Sequence, residues 1–251
     1  MGRFNYIYRM KMTFYLLLAL SIRVTCVTHG QIRITDDLYL MKITQNAYLH
    51  VSFADSPPYG RVSANGLIFT NGSKAFLFDT PWNDTLTSCL ANYLTGTMGL
   101  TIEGFVPNHW HSDCMGGLGY ILSKGIKTYG NKLTSEIAAR EGLPQPETGF
   151  TDSLHIMLGD TDICLFFPGP AHSTDNIVTW IPSEAILFPG CMCRSAESDN
   201  LGYTADGDLS TYRKTIENVT KRFCGAKIVI PGHGDTGGMD LLQHTISLCS
   251  K

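Results

Sequence analysis

The stretch that decides the fold runs from Thr101 to Asp113 and reads TIEGFVPNHWHSD. A strand is predicted over Thr101–Val106, and soon after it come two histidines, His109 and His111, and then Asp113. Two histidines spaced i and i+2 at a strand terminus can aim their imidazoles into one space. A carboxylate on the next turn can reach the same point. The pattern therefore predicts a ligand site at the end of a strand.

Three further strand ends carry the same kinds of side chain. His172 follows an apolar strand and a Pro-Gly-Pro turn, Cys191 ends the predicted strand Ala185–Gly190, and His233 follows Ile228–Gly232. Neutral imidazole, thiolate and carboxylate are the ligand types that zinc prefers. Two triads drawn from the six residues would hold two tetrahedral ions that keep open positions for water.

Length and composition exclude several classes of protein. The chain has 251 residues, of which 43% are hydrophobic and 16% charged, which suits a folded domain and not a disordered chain. Its formal net charge is -3. There is no short repeat or heptad seam, which excludes solenoids and coiled coils. No strongly basic patch is present, so we expect no binding to nucleic acid.

The N-terminal segment resembles a secretory signal rather than part of the fold. Three basic residues precede an apolar run, Met12–Ile22, that is too short to span a bilayer as a stable helix. We predict a signal peptide over residues 1–30, cleaved between about Thr25 and Gln31, and a mature domain over residues 31–251. The four basic residues of the signal leave with it, so the mature chain carries a net charge of about -7. No stable membrane association is expected after cleavage.

The eight cysteines do not form a compact disulfide pattern. Removing Cys26 with the signal leaves an odd number, and a chain of this length can build its own core. Cys89, Cys164, Cys224 and Cys249 are predicted mainly as small buried hydrophobic residues, with one oxidised pair among them left open.

The order of predicted elements indicates one domain with two β-rich halves and helices outside them. Strands surround a turn at 45–46, a hairpin spans 66–79, and a second group of strands lies between 153 and 188. Helices are predicted over about 83–94, 116–124, 131–141, 208–223 and 239–248, with a buried strand at 227–230.

Four motifs resemble those of class B metallo-β-lactamases of subclass 1. They are His109–Gly117, Pro168–Asn176, Gly190–Cys191 and Pro231–Gly234, and the resemblance runs from about Leu38 to the C-terminus. Cys191 is the discriminating residue, because glyoxalase II and lactonases place a bridging Asp there. The resemblance implies an α/β fold, the four-layer αββα metallo-β-lactamase sandwich.

The same resemblance implies which residues bind metal. One zinc ion would take His109, His111 and His172, and a second would take Asp113, Cys191 and His233. A hydroxide held by zinc would attack the lactam carbonyl, with Asp113 as the catalytic residue that helps to orient it. Asp79 would accept a hydrogen bond from a ligand imidazole and fix its tautomer.

Residues near the motifs are candidates for further roles. Arg194 stands where the family often has a lysine that binds the substrate carboxylate, and Asn200 matches an asparagine that helps to polarise the lactam carbonyl. Tyr59 lies in the segment Asp55–Arg61, which matches a mobile flap over the site. Cys114 and Cys193 could each be an extra ligand of the second zinc, or a free thiol beside it.

We therefore predict a monomeric, zinc-dependent β-lactamase exported to a bacterial periplasm, which hydrolyses the amide of β-lactam antibiotics and confers resistance. Two alternatives stay open. One is another hydrolase of the same superfamily that acts on a thioester, lactone or phosphoester. The other is a zinc-binding protein without turnover, whose added thiolates close the open coordination position.

Overall fold

A computed structural model describes residues 30–250, and the predicted signal peptide lies outside them except for its last residue. The strands are β1 Ile32–Thr35, β2 Leu38–Lys42, β3 Ala47–Ser56, β4 Gly60–Asn71, β5 Lys74–Phe78, β6 Thr101–Val106, β7 Lys127–Asn131, β8 Thr148–Phe150, β9 Ser153–Leu158, β10 Thr161–Phe166, β11 Val178–Ile181, β12 Ile186–Gly190 and β13 Ile228–Pro231. The helices are α1 Asp84–Asn92, α2 Ser112–Met115, α3 Leu118–Ser123, α4 Lys132–Glu141, α5 Leu209–Arg222 and α6 Asp240–Leu248, and a π-helical turn at Tyr93–Thr97 follows α1.

The strands form two mixed sheets. The first has eight strands in sequence order, antiparallel from β1 to β5 and parallel from β5 to β8. The second has five strands in the order β13-β12-β11-β10-β9, and only β12 and β13 pair in parallel.

The apolar pattern of the strands sorts side chains into three cores. In β5, Phe76 and Phe78 face the second sheet, whereas Leu77 faces the helices, because successive side chains point to opposite faces. Helices α1 and α3 cover the outer face of the first sheet, and α5 and α6 cover that of the second. The layers are therefore helix, sheet, sheet and helix, which confirms the predicted αββα sandwich.

Polar side chains mark two helix starts that lie within one residue of the predicted ones. Asn83 begins α1 by accepting a hydrogen bond from Leu86 N, and Asp208 begins α5 by accepting one from Ser210 N. Four elements were not predicted from the sequence: the strands β1, β7 and β8 and the short helix α2.

The cysteines are only partly as predicted. All seven within residues 30–250 are unpaired, and Cys164 is buried, but Cys224 is exposed. The prediction of a buried Cys224 is wrong because this residue lies just after α5, beyond Phe223, which packs into the core. Within the described residues, no helix is long and apolar enough to cross a membrane.

Candidate metal centre

Three histidines converge where β6 ends. One candidate ligand atom from each of His109, His111 and His172 lies within 4.8 Å of the others. His109 Nε2 is 2.9 Å from His111 Nδ1, and the ring centroids of His109 and His172 are 4.8 Å apart. Three ring nitrogens thus face one space, as the sequence predicts for these residues.

A second group adjoins the first through His109. Candidate ligand atoms of His109, Asp113, Cys114 and Cys191 lie within 4.8 Å of one another, and all four residues are buried. His233 joins this group, because its Nε2 is 3.2 Å from Asp113 Oδ2 and 3.4 Å from Cys191 Sγ. Cys191 Sγ is in turn 3.3 Å from Asp113 Oδ2.

Hydrogen bonds between the two sheets fix the position of His233. Asn65 of β4 donates from its side chain to the carbonyls of Pro231 and Gly234, at 2.9 and 2.8 Å. The Nδ1 atom of His233 bonds to the carbonyl of Ser63, so Nε2 is left to face the ligand group.

Gly232 allows the ends of β12 and β13 to approach closely. A Cβ atom at this position would lie 2.3 Å from Cys191 Sγ, so no other residue type fits. The glycine thus lets Cys191 and His233 reach the same point.

The loop that carries His172 is held by buried polar groups. Asp175 accepts a hydrogen bond of 2.7 Å from Thr134 in α4 and another from Ser173. Asn176 donates to the carbonyl of Gly169 at 2.9 Å. Among the described residues, nothing hydrogen-bonds to Nδ1 of His172, whose side chain is buried.

Burial and mutual proximity set the protonation of the histidine cluster. Burial lowers the pKa of His172 to about 3, and the neighbouring His111 adds to the effect. Burial and His111 likewise hold the pKa of His109 well below its usual range. Neutral imidazoles with free lone pairs are the form that a metal ion requires.

The second group carries negative charge. Burial favours the neutral form of Asp113, but the hydrogen bond with His233 and the nearby His109 outweigh it and lower its pKa. A hydrogen bond with Cys114 lowers the pKa of Cys191, against the effect of burial. Burial raises the pKa of Cys114 well above its usual range, so Cys191 is the more readily ionised of the two thiols.

Asp79 is placed differently from the prediction. Its carboxylate accepts from Asn108 N at 2.5 Å and lies against the Cys114 thiol, and the predicted bond from a ligand imidazole is replaced by these contacts. Cys114 Sγ occupies the intervening position, 3.2 Å from His109 Nδ1. Asp79 also has a left-handed backbone with φ 63°, a strained conformation for a residue other than glycine.

The two groups lie at an open cleft of about 770 Å³. Its lining includes His111, Asp113, His172 and His233, together with Tyr59 from the β3–β4 hairpin and Arg194. Tyr59 is 59% exposed, and the Nε atom of Arg194 is buried without a hydrogen-bond partner among the described residues. Both side chains are therefore placed to meet a molecule in the cleft.

Two predicted site residues do not reach the cleft. Asn200 is exposed and does not belong to the described residues that line the cleft. Its amide is used in its own turn, where it accepts from Gly202 N at 2.8 Å and donates to Asp199 at 2.6 Å. Cys193 packs against α5 and α6 instead of the ligand groups, and burial raises its pKa to about 12. This position matches the alternative of a free thiol, and Cys193 does not join the ligand groups.

Sequence analysis missed Asp206. Its Oδ2 is 2.9 Å from Nε2 of His111, which leaves Nδ1 of that ring facing His109. In the sequence, Asp206 is hard to distinguish from Asp208, two residues later, which begins α5. Only the path of the loop between Cys191 and α5 shows which carboxylate faces the site.

The donor set fits zinc. Imidazole nitrogens, a carboxylate and a thiol sulfur converge in two adjoining groups at an open cleft. The fold and these ligands define a metal-binding enzyme of the αββα class.

Comparisons with known proteins identify the family. The chain is 40% identical to the metallo-β-lactamase type 2 of Bacteroides fragilis over 239 residues, which cover 95% of this chain and 96% of that protein. The solved metallo-β-lactamase of Pontibacter korlensis has a TM-score of 0.82 at 32% identity and covers 85% of this chain and 99% of its own. The solved metallo-β-lactamase FIM-1 of Pseudomonas aeruginosa, in a mono-zinc form, has a TM-score of 0.80 at 32% identity over 87% of this chain and 98% of its own. No family model matches the chain.

This chain belongs to the metallo-β-lactamases. The predicted family, fold and enzyme class are thereby confirmed.

Proposed function

We propose that this chain hydrolyses the amide bond of β-lactam antibiotics, with penicillins, cephalosporins and carbapenems as substrates, using two zinc ions. The observation that carries the proposal is the pair of adjoining ligand groups at the base of one open cleft. The name of the Bacteroides fragilis relative supports the choice of substrate class.

Each proposed metal position draws on a different set of side chains. His109, His111 and His172 would hold one zinc through their imidazole rings, and burial holds the pKa values of His109 and His172 below the usual range. Asp113, Cys191 and His233 would hold the second, and Cys114 is a candidate extra ligand because its sulfur lies in the same group. Zinc bound there supplies Lewis acidity, which polarises a carbonyl and makes water acidic near neutral pH.

The residues around the metal positions would orient the substrate. Arg194 is proposed to bind the carboxylate that β-lactams carry, since its guanidinium can form two parallel hydrogen bonds. Tyr59 offers an apolar face to the substrate side chain from the hairpin. Asp113, ionised in the cleft, is proposed to orient the attacking water through its carboxylate oxygens.

Hydrolysis of a chromogenic cephalosporin and a carbapenem tests this function. We expect turnover by the purified mature chain, loss of turnover after chelation, and recovery when zinc is restored. His111→Ala should abolish turnover, whereas His155→Ala, a matched change at an exposed histidine outside both ligand groups, should not. Zinc-loaded protein that turns over neither substrate would favour another superfamily substrate or a zinc-binding role.

The number of zinc ions and the role of Cys114 need a separate measurement. We expect about two zinc equivalents by elemental analysis of the wild type and about one in Cys191→Ser. Cys114→Ser should lower the zinc content as well as the activity if its sulfur is a ligand. Unchanged values for this variant would show that Cys114 is not one.

We also propose that residues 1–30 direct export to the periplasm, where the mature chain, residues 31–251, acts as a monomer. The basic and apolar pattern before Gln31 supports the first proposal. Fractionation of expressing cells and N-terminal sequencing would test it, and light scattering of the purified enzyme would test the second.

A further inference from the structure

A tyrosine that no motif assigns stands beside the metal ligands. Tyr203 lies in the loop between Cys191 and α5, lines the cleft and is 42% exposed. Its ring meets that of His111 edge to face, with centroids 5.6 Å apart and an interplanar angle of 67°.

Several contacts hold Tyr203 in this position. The hydroxyl hydrogen-bonds to Asp206, the residue whose carboxylate also holds His111, and this bond raises the pKa of Tyr203. The carbonyl of Asp206 accepts from Thr174 N at 3.0 Å, which joins the loop to the segment that carries His172. On its other side, Tyr203 follows Gly202, whose N–H is bound by the Asn200 side chain. The ring is thus fixed before any substrate arrives.

A second exposed tyrosine lines the same cleft from the hairpin. Tyr59 is 59% exposed and lies in the turn between β3 and β4. Beside this turn, Arg61 pairs with Asp37 at 2.5 Å and lies 4.7 Å from the centroid of the Phe53 ring. Two tyrosines on separate segments therefore line the cleft that holds the metal-ligand groups.

We propose that Tyr203 is a specificity-determining residue which, together with Tyr59, binds a flat aromatic group on the side chain of the substrate. Aromatic rings prefer offset or edge-to-face contacts with other aromatic rings, and an exposed ring held in place loses little entropy on binding. Tyr203 would distinguish β-lactams by their side chains. Arg194 and the metal ligands would not, because they contact groups that all β-lactams share. The inference rests on the proposed β-lactam hydrolysis.

The test compares two penicillins that share a nucleus. Benzylpenicillin carries a phenyl side chain, and 6-aminopenicillanic acid lacks it. We expect Tyr203→Ala to lower the ratio of kcat/KM for benzylpenicillin to kcat/KM for 6-aminopenicillanic acid by about fivefold to tenfold, mainly through a higher KM for benzylpenicillin. Tyr203→Phe keeps the ring without the hydroxyl and should restore the wild-type ratio.

Two controls separate binding of the side chain from an indirect effect. Asp206→Asn removes the charge beside His111 but keeps an oxygen that can accept from the Tyr203 hydroxyl, so it should change kcat/KM for both substrates by a similar factor and leave the ratio near the wild-type value. Met157→Ala removes another exposed apolar side chain, on β9 and away from the cleft lining, and should leave the ratio unchanged.

Three results would overturn the inference. An unchanged ratio in Tyr203→Ala would show that the ring does not contact the side chain. A ratio lowered equally in Tyr203→Phe would show that the residue acts through Asp206 instead. A wild-type enzyme that hydrolyses neither penicillin would refute the proposed function, and the inference with it.

Discussion

Acid should destabilise the protein through one buried histidine outside the ligand groups. His50 lies in β3, is 1% exposed, and its Nε2 donates to the carbonyl of Asp79 at 3.0 Å. Its Nδ1 is buried and has no hydrogen-bond partner among the described residues. Burial lowers the pKa of His50 to about 4, so the folded protein keeps this imidazole neutral.

The size and direction of the effect follow from the two pKa values. In the unfolded chain, His50 titrates near its ordinary value of 6.5. Between pH 6.5 and pH 4 the unfolded state therefore binds a proton that the folded state does not, and stability falls as the pH falls. From pH 7 to pH 5 we expect a loss of about 2 kcal/mol from this residue alone.

Urea unfolding of the zinc-stripped protein at pH 7 and pH 5 measures this loss. His50→Gln retains a donor for the Asp79 carbonyl but cannot titrate, so it should lose about 2 kcal/mol less than the wild type between the two pH values. The contributions of groups that titrate in both proteins cancel when the two losses of stability are compared. The pH-independent cost of the substitution cancels as well. His155→Gln, at an exposed histidine, should behave like the wild type.

Equal losses of stability in the wild type and in His50→Gln between pH 7 and pH 5 would refute the proposed contribution of His50. That result would mean that the buried imidazole takes up a proton in the folded state near its ordinary pKa.

Two further outcomes are expected. Asp206→Ala should weaken zinc binding by about 10-fold to 100-fold, measured by competition with a chromogenic chelator, because it removes the group that orients the His111 ring. Retained affinity would show that the ring is held without it. Gly117→Ala should lower stability by about 1–3 kcal/mol in thermal unfolding, since the new Cβ would lie 1.9 Å from Thr87 Oγ1. Gly96→Ala, where nothing lies within 4 Å, is the matched control and should show no such loss.

The fold could largely be predicted because its signals are local. Alternating apolar residues in β5 assign each side chain to one of two cores, and Asn83 and Asp208 mark helix starts by their capping chemistry. Among the strands that were missed, β8 has only three residues, which is too short to show a period, and the sequence of β7, KTYGN, has no apolar alternation.

The site could be predicted only where a motif ends a strand. His109, His111 and Asp113 are fixed by the end of β6, and Cys191 and His233 by the ends of β12 and β13. The roles of Asp206 and Asn200 depend instead on the path of an irregular loop, which no periodicity describes. Likewise, the two-residue spacing between Cys191 and Cys193 does not show that the Cys193 side chain packs against α5 and α6.

The origin of the ligands has a consequence for folding. His109, His111 and Asp113 follow a strand of the first sheet, whereas His172, Cys191 and His233 follow strands of the second, so each proposed metal position joins the two halves. A metal ion bound there would act as a cross-link between them, and at a free concentration 100 times its Kd it would add about 2.7 kcal/mol to stability. Availability of zinc would then govern how long the enzyme survives proteolysis as well as how fast it works.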